Sequence, residues 1–248
     1  MYYVGVDLAW GERKPTGVAA VDATGVLRDV GAAATDADIL GRLRPFLADE
    51  CVVAFDAPLV VTNPTGTRPC ESALNRDFRR FDAGAHPANT GLAWFADGGR
   101  GTRLCRMLGL NLDPHSAARR KGLEVYPHAA SVVLFDLTRT LKYKQKSGRE
   151  FPQLRSELLR LMDFIEGLHS ATPALIVTAN RHWQELRASV LDATTKAQLR
   201  RAEDPVDAVL CAYIARFATE RPDDVTVYGD VDTGCIVTPR CPGSPSSR

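Results

Sequence analysis

Three short runs made mostly of apolar and small residues open the chain, 2–9, 16–22 and 25–33, separated by loops rich in Gly, Pro and Asp. Short runs of this kind between turn formers predict strands, and two such short connections predict an antiparallel meander. Then the pattern changes. Apolar residues at 39, 40, 43, 46 and 47 share one face of a helix, with Thr35 or Asp36 as its N-cap. The run "CVVAFDAPLVV" (51–61) is nearly continuous until Pro58, as a strand covered on both faces should be. Strand, strand, strand, helix, strand predicts a mixed sheet in an α/β fold, flanked by helices.

From 62 to 122 the pattern loosens around Pro64, Pro69, Pro87 and Pro114, with short helices expected near 70–82 and 101–109. This Pro-rich stretch reads as an insertion or lid. Order returns in "GLEVYPHAASVVLF", a brief strand followed by a helix with Pro127 at its first position. "TRTLKYKQKSGRE" reads as a basic, mobile connector, its Lys142, Lys144 and Lys146 set along an edge. Helices are expected over 151–168 and 180–191, while "ALIVTA" (174–179) fits strand or helix equally. The most apolar helix is expected to start with Asp204 as N-cap and Pro205 at N1, and "VTVYGDVDTGCIVTP" to close the fold as a hairpin. One domain over 1–240 is expected, with a disordered tail at 241–248.

The chemistry lies in the carboxylates. Asp7 interrupts the first apolar run, and burying an ionised carboxylate costs several kcal/mol unless something compensates it. Gly5 and Ala9 share its face and read as clearance for a ligand. Asp56 closes the 51–57 strand on a face shared with Val52 and Ala54, and strand ends of open α/β sheets are where ligands bind. Two acids on adjacent strands need a cation or a shared proton. Asp204 and Asp207, three apart, share a helix face, and each also has an ordinary role at a helix start. Glu124 ends a further strand. Together Asp7, Asp56, Glu124, and Asp204 or Asp207 form an all-oxygen set, which suits Mg²⁺ or Mn²⁺ rather than Zn²⁺. Two such ions about 3.5–4 Å apart are the usual device for hydrolysing a phosphodiester. An Asp7 met by a salt bridge instead would point away from that chemistry.

Net charge, +1 overall, sharpens this picture because it is uneven: −4 over 1–60, +8 over 61–149 and −3 over 150–248. The basic middle reads as a solvated face or as a polyanion-binding region laid over an acidic scaffold. On the second reading Arg68, Arg76, Arg79, Arg80, Arg100, Arg103 and Arg106 are phosphate contacts for a nucleic-acid partner, DNA or RNA. His86 and Asn89 lie in a loop of turn formers, and His128 lies one turn into a helix; all three are candidates for holding substrate. Trp94 and Phe95 read as lid packing or as platforms for bases. The six cysteines are scattered without a C-x-x-C pair, which predicts a reduced, cytoplasmic protein with no cysteine-held zinc. No apolar run approaches the ~18 residues of a membrane span, and Asp7 and Glu12 break the layout of a signal peptide.

In order along the chain, "VGVDLAW", "AFDAPL", "GAHPANTG", "LEVYPHA", "DPVDAVLCAY" and "GDVDTGCIVTP" resemble the domain of unknown function 429 family, a group of predicted nucleases within the ribonuclease H-like superfamily. The resemblance implies a ribonuclease H-like fold with a mixed five-stranded sheet, and a divalent-metal-dependent nuclease. It places Asp7 and Asp56 on the metal-binding acids of the first and fourth strands, and Asp207 with Asp204 on those of the late helix. The last motif reads Thr-Gly-Cys-Ile where an acid and an aromatic are expected around the Gly. Two other classes stay open. An actin-like phosphotransferase shares the meander and would use "GERKPTG" as a phosphate loop, and a non-catalytic nucleic-acid-binding scaffold would keep the fold alone.

Overall fold

The computed structural model describes residues 1–11, 14–241 and 243. The three predicted strands form as β1 (Tyr2–Asp7), β2 (Thr16–Asp22) and β3 (Leu27–Ala33), an antiparallel meander. The β1–β2 loop carries Glu12 and Arg13, so the phosphate-loop reading of "GERKPTG" falls partly outside the described residues. Helix α1 (Asp36–Leu43) starts at Thr35, whose side chain accepts from the Asp38 N–H while Asp38 accepts from the Thr35 N–H. This reciprocal cap fixes the helix start. Strand β4 (Cys51–Phe55) then pairs parallel to β1, and β5 (Arg120–Glu124) parallel to β4, giving a mixed five-stranded sheet in the order β3-β2-β1-β4-β5.

Alternation along the strands sorts the core into two layers. Val4, Val6, Val53 and Phe55 pack with Ile39 and Leu43 of α1 and with Leu104 and Cys105 of α3 (Gly99–Leu108). Tyr3, Val52, Ala54 and Leu123 pack on the other face against α5 (Phe151–Gly167), α6 (Arg181–Leu191) and α7 (Lys196–Glu220). The stretch 62–122 is therefore no loose lid: α3 covers one face of the sheet. Within the same stretch, α2 (Pro69–Phe78) buries Cys70, Leu74 and Phe78. It shares that cluster with α4 (Pro127–Leu134) and with the closing hairpin of β6 (Val225–Asp230) and β7 (Gly234–Pro239). Residues 174–179 form neither strand nor helix; a single parallel bridge ties Ile176 to Val26, and Leu175 and Val177 are buried. Cys241 is buried too, which removes it from the expected tail; 242 and 244–248 lie outside the described residues. Among the described residues no helix is long and apolar enough to cross a membrane.

Helix α7 departs from its prediction in a way that matters. It begins at Lys196, two turns earlier than expected, because Thr195 and Gln198 form a capping box. Pro205 lies inside the helix, where it has no N–H to give the carbonyl of Arg201. Asp204 is thus an interior residue and not an N-cap. The helix also runs unusually close to the sheet. A Cβ on Gly5 would stand 1.9 Å from the Ala208 carbonyl oxygen, and one on Gly17 would stand 1.9 Å from that of Asp204. Gly5 clears space for α7, not for a ligand.

The contact predicts its own test. Alanine at Gly5 or at Gly17 must push α7 off the sheet, and overpacking of this kind costs about 1–3 kcal/mol or more. Urea unfolding followed by circular dichroism should show that loss for both variants. An unchanged midpoint for either would mean the helix does not depend on the glycine.

Candidate active site

Register brings the first two acids together. Val6 of β1 aligns with Phe55 of β4, and the Asp56 N–H donates to the Val6 carbonyl at 2.9 Å, so Asp7 and Asp56 leave adjacent parallel strands side by side. Both continue the face that carries Gly5 and Ala54, the face α7 covers. The close approach at Gly5 and Gly17 lays Glu203, Asp204 and Asp207 against the same corner. Asp207 is fully buried, Asp7 and Glu203 nearly so. Glu203 was not foreseen from the sequence, although its place one turn before Asp207 puts it on the same helical face.

One cation meets this group. Lys144 Nζ lies 2.6 Å from Asp207 Oδ2 and 3.1 Å from Asp7 Oδ2, and the Tyr143 hydroxyl donates to Asp207 Oδ1 at 2.7 Å. The connector is thus not a free edge. Buried Leu141 and Tyr143 anchor it, and Lys144 turns inward beside Tyr143, against the outward side that simple alternation would give it. Asp7 is salt-bridged, the arrangement expected to count against a metal site. Among the described residues no three His, Cys, Asp or Glu side chains stand ready to share one ion. The Lys144 ammonium, bonded to both Asp7 and Asp207, occupies the space where their oxygens would converge.

The Lys144 ammonium does not offset the cost of burying so many acids. Burial pushes the Asp7 carboxyl well above its ordinary range; Lys144 opposes this, and Asp56, Asp207 and Asp204 add to it. Asp56 is pushed up to about 7, by burial first and then, against Lys144, by Asp207, Glu124 and Asp204. Glu203 also rises to about 7, again chiefly through burial, and its Oε1 has no hydrogen-bond partner. Asp204 rises for the same leading reason. Lys144 itself is held protonated far above its ordinary range, Asp207 and Asp7 overcoming the burial that works against its charge. Behind it, burial and the Lys144 charge lower His128 to about 4, so this ring is neutral and tucked beneath the site. Its Nδ1 lies 3.3 Å from the Thr140 hydroxyl.

Glu124 does not join the cluster. It aligns with Phe55, whose side chain belongs to the opposite layer, and it is gripped by Arg68 at 2.5 and 2.9 Å and by the Leu59 N–H at 2.9 Å. Arg68 is buried as well and holds Glu71 at 2.8 Å, so it is an internal strut rather than a phosphate contact. Arg103 pairs with Asp36 at 2.9 Å. Arg76, Arg79 and Arg80 lie exposed on α2 and the turn after it, and Asn89 donates to the Gly66 carbonyl. His86 borders a small recess of about 70 Å³ shared with Asp56, Glu124 and Tyr126.

The basic surface arises elsewhere. A cleft of about 1210 Å³ has Asp7, Glu203 and Asp204 on its floor. Its walls carry Lys14 beside the first hairpin, Lys146 and Arg149 from the connector, and Lys196, Arg200 and Arg201 from the first turns of α7. None of Arg68, Arg76, Arg79, Arg80 and Arg103 lines it. An acidic floor between basic walls is a layout for a polyanion with a reactive centre beneath it.

A family model described as Protein of unknown function (DUF429) matches residues 5–233. No curated protein and no solved structure matches the chain.

Two outcomes follow from the electrostatics. In the folded chain Asp56 and Glu203 keep their protons to about pH 7, against 3.8 and 4.5 ordinarily, so the folded state binds more protons across that window. Stability conferred by this excess is present at low pH and lost as pH rises towards 7. Urea unfolding in EDTA should show the wild type losing stability from pH 4.5 to 7.5, with a flatter slope for Asp56→Asn plus Glu203→Gln; equal slopes would contradict the crowding. Separately, Arg68→Met strands two buried carboxylates and should cost about 3–5 kcal/mol. A loss below about 1 kcal/mol in the same assay, the range of surface pairs, would show that Arg68 is no strut.

Proposed function

The chain belongs to the DUF429 family, and we propose that it hydrolyses nucleic-acid phosphodiester bonds at the acidic floor of this cleft with the help of Mg²⁺ or Mn²⁺. The observation that carries this reading is the crowding of acids: Asp7, Asp56, Glu203, Asp204 and Asp207 share one corner with Lys144, and Asp7, Asp56, Glu203 and Asp204 are all driven towards holding a proton. A corner of oxygen donors that would be ionised if a stronger counter-charge were present, with a Glu203 oxygen unpartnered among the described residues, fits a hard divalent cation. Asp7, Asp56 and Asp207 are the residues that would hold it, with Glu203 and Asp204 beside them. Bound there, such an ion lowers the pKa of water and offsets charge on the leaving oxygen.

The protein's own part is to bind, orient and hold charge. The wall residues Lys146, Arg149, Arg200 and Arg201 attract the phosphate backbone and bring it over the floor. Tyr143 fixes the orientation of Asp207 through its hydroxyl. Lys144 bridges Asp7 and Asp207, and it would have to give up those partners to a divalent ion held there, which would free its ammonium for a phosphate oxygen. The Lys144 pair counts against a permanently resident metal, and the crowding of the acids favours one that arrives with substrate.

The test is direct. Purified protein stripped with EDTA should gain thermal stability on addition of MnCl₂ or MgCl₂, and cleave labelled oligonucleotides only in their presence. Asp7→Asn and Asp56→Asn should each reduce cleavage to background while leaving the circular dichroism spectrum unchanged. Cleavage that persists in excess EDTA overturns the metal reading. Oligonucleotide binding without cleavage under any divalent ion supports the scaffold reading instead.

A further inference from the structure

The cleft opens at one end onto a second cavity, of about 430 Å³, and the two share Trp10, Gly11 and Trp94. Both indoles face solvent to an unusual degree for tryptophan, Trp10 at 37% and Trp94 at 52% exposure. Large exposed aromatics at the mouth of a charged cleft signal binding more than packing. Each is also braced from behind. The Trp10 ring meets buried Phe95 edge-on at 5.1 Å. Arg100 donates to the carbonyls of Ala9 and Gly11 at 2.8 and 3.2 Å, clamping the backbone on both sides of Trp10. Trp94 lies against Gly11 so closely that a Cβ there would stand 2.6 Å from its ring. Rigid aromatic faces lose little freedom when a ligand stacks on them.

The geometry points to a nucleobase subsite: Trp10 and Trp94 take up an unstacked base of a single-stranded nucleic acid while its phosphates run along Lys146, Arg149, Arg200 and Arg201. The inference rests on the reading of the cleft as a nucleic-acid site and names the form of substrate it accepts. A base inside a duplex offers only its edge, whereas stacking on an indole needs a free face, and base–aromatic stacking adds to an electrostatic groove in single-strand binders. The smaller cavity has room beside the indoles for one base, and Arg103, already paired with Asp36, borders it.

Intrinsic fluorescence can read this directly. The chain has three tryptophans, and Trp183 is buried, so quenching by a ligand reports on Trp10 and Trp94. In EDTA at low salt, where hydrolysis is off, a 12-mer oligothymidylate should quench the wild type. A matched duplex and thymidine monophosphate should bind far more weakly. By anisotropy with the labelled 12-mer, Trp94→Ala should lose roughly tenfold in affinity, and Trp94→Phe should recover most of it. Circular dichroism should match the wild type, because Trp94 is half exposed. Equal binding of duplex and single strand overturns the subsite, as does a mononucleotide as tight as the strand. So does a Trp94→Ala variant that binds like wild type while Arg200→Ala does not. Absence of binding by every oligonucleotide overturns the nucleic-acid reading itself, a separate result from any of these.

Discussion

Backbone touching backbone is the constraint on which the site depends. Helix α7 can lie against β1 and β2 only where both strands lack a side chain, at Gly5 and Gly17. That contact brings Glu203, Asp204 and Asp207 to the end of β1, where Asp7 emerges beside Asp56. Five acids then share one corner from which water is largely excluded. The corner is habitable because Lys144 stands in it and because some of the acids keep their protons. Packing thus sets the electrostatics. The glycines are structural residues with a chemical effect.

Much of this was legible in the sequence. The meander, the buried fourth strand and the pairing of Asp7 with Asp56 follow from periodicity and from small residues beside the acids. Asp207 was legible from its place on an apolar helix. Glu124 was misjudged because strand register decides which face an acid occupies, and register between parallel strands is not written in either strand alone. Lys144 and Glu203 were missed for a related reason: each matters only through residues far away in the chain. Arg68 looked like one member of a basic stretch until its two buried partners came into view, and Gly5 looked like room for a ligand until α7 filled it.

Charge counted along the chain also differs from charge arranged in space. Part of the surplus in 61–149 is met by acids from outside it, Arg100 and Arg103 by Asp36, Arg119 by Asp49 and Lys144 by Asp7 and Asp207, while Arg68 is held by Glu71 and Glu124 of the same stretch. The walls of the cleft draw on Lys146 and Arg149 at the end of that stretch and on the first two turns of α7, in a segment whose net charge is negative. Those two turns exist because Thr195 and Gln198 cap the helix earlier than Asp204 would have done. A longer helix therefore carries cations at its start and carboxylates one turn further on, both facing the same cleft.

Arg68 bears on how the architecture can vary. It joins the start of α2, the end of β5 and the chain after β4, through Glu71, Glu124 and the Val60 carbonyl. The stretch 62–122 is thereby tied into the sheet by a buried ionic knot at its root. Shortening it to a simple turn leaves Glu124 with no counter-charge in the interior of the fold. Length changes are tolerable at its distal loops and not at its base, so it is no detachable module grafted onto a finished sheet.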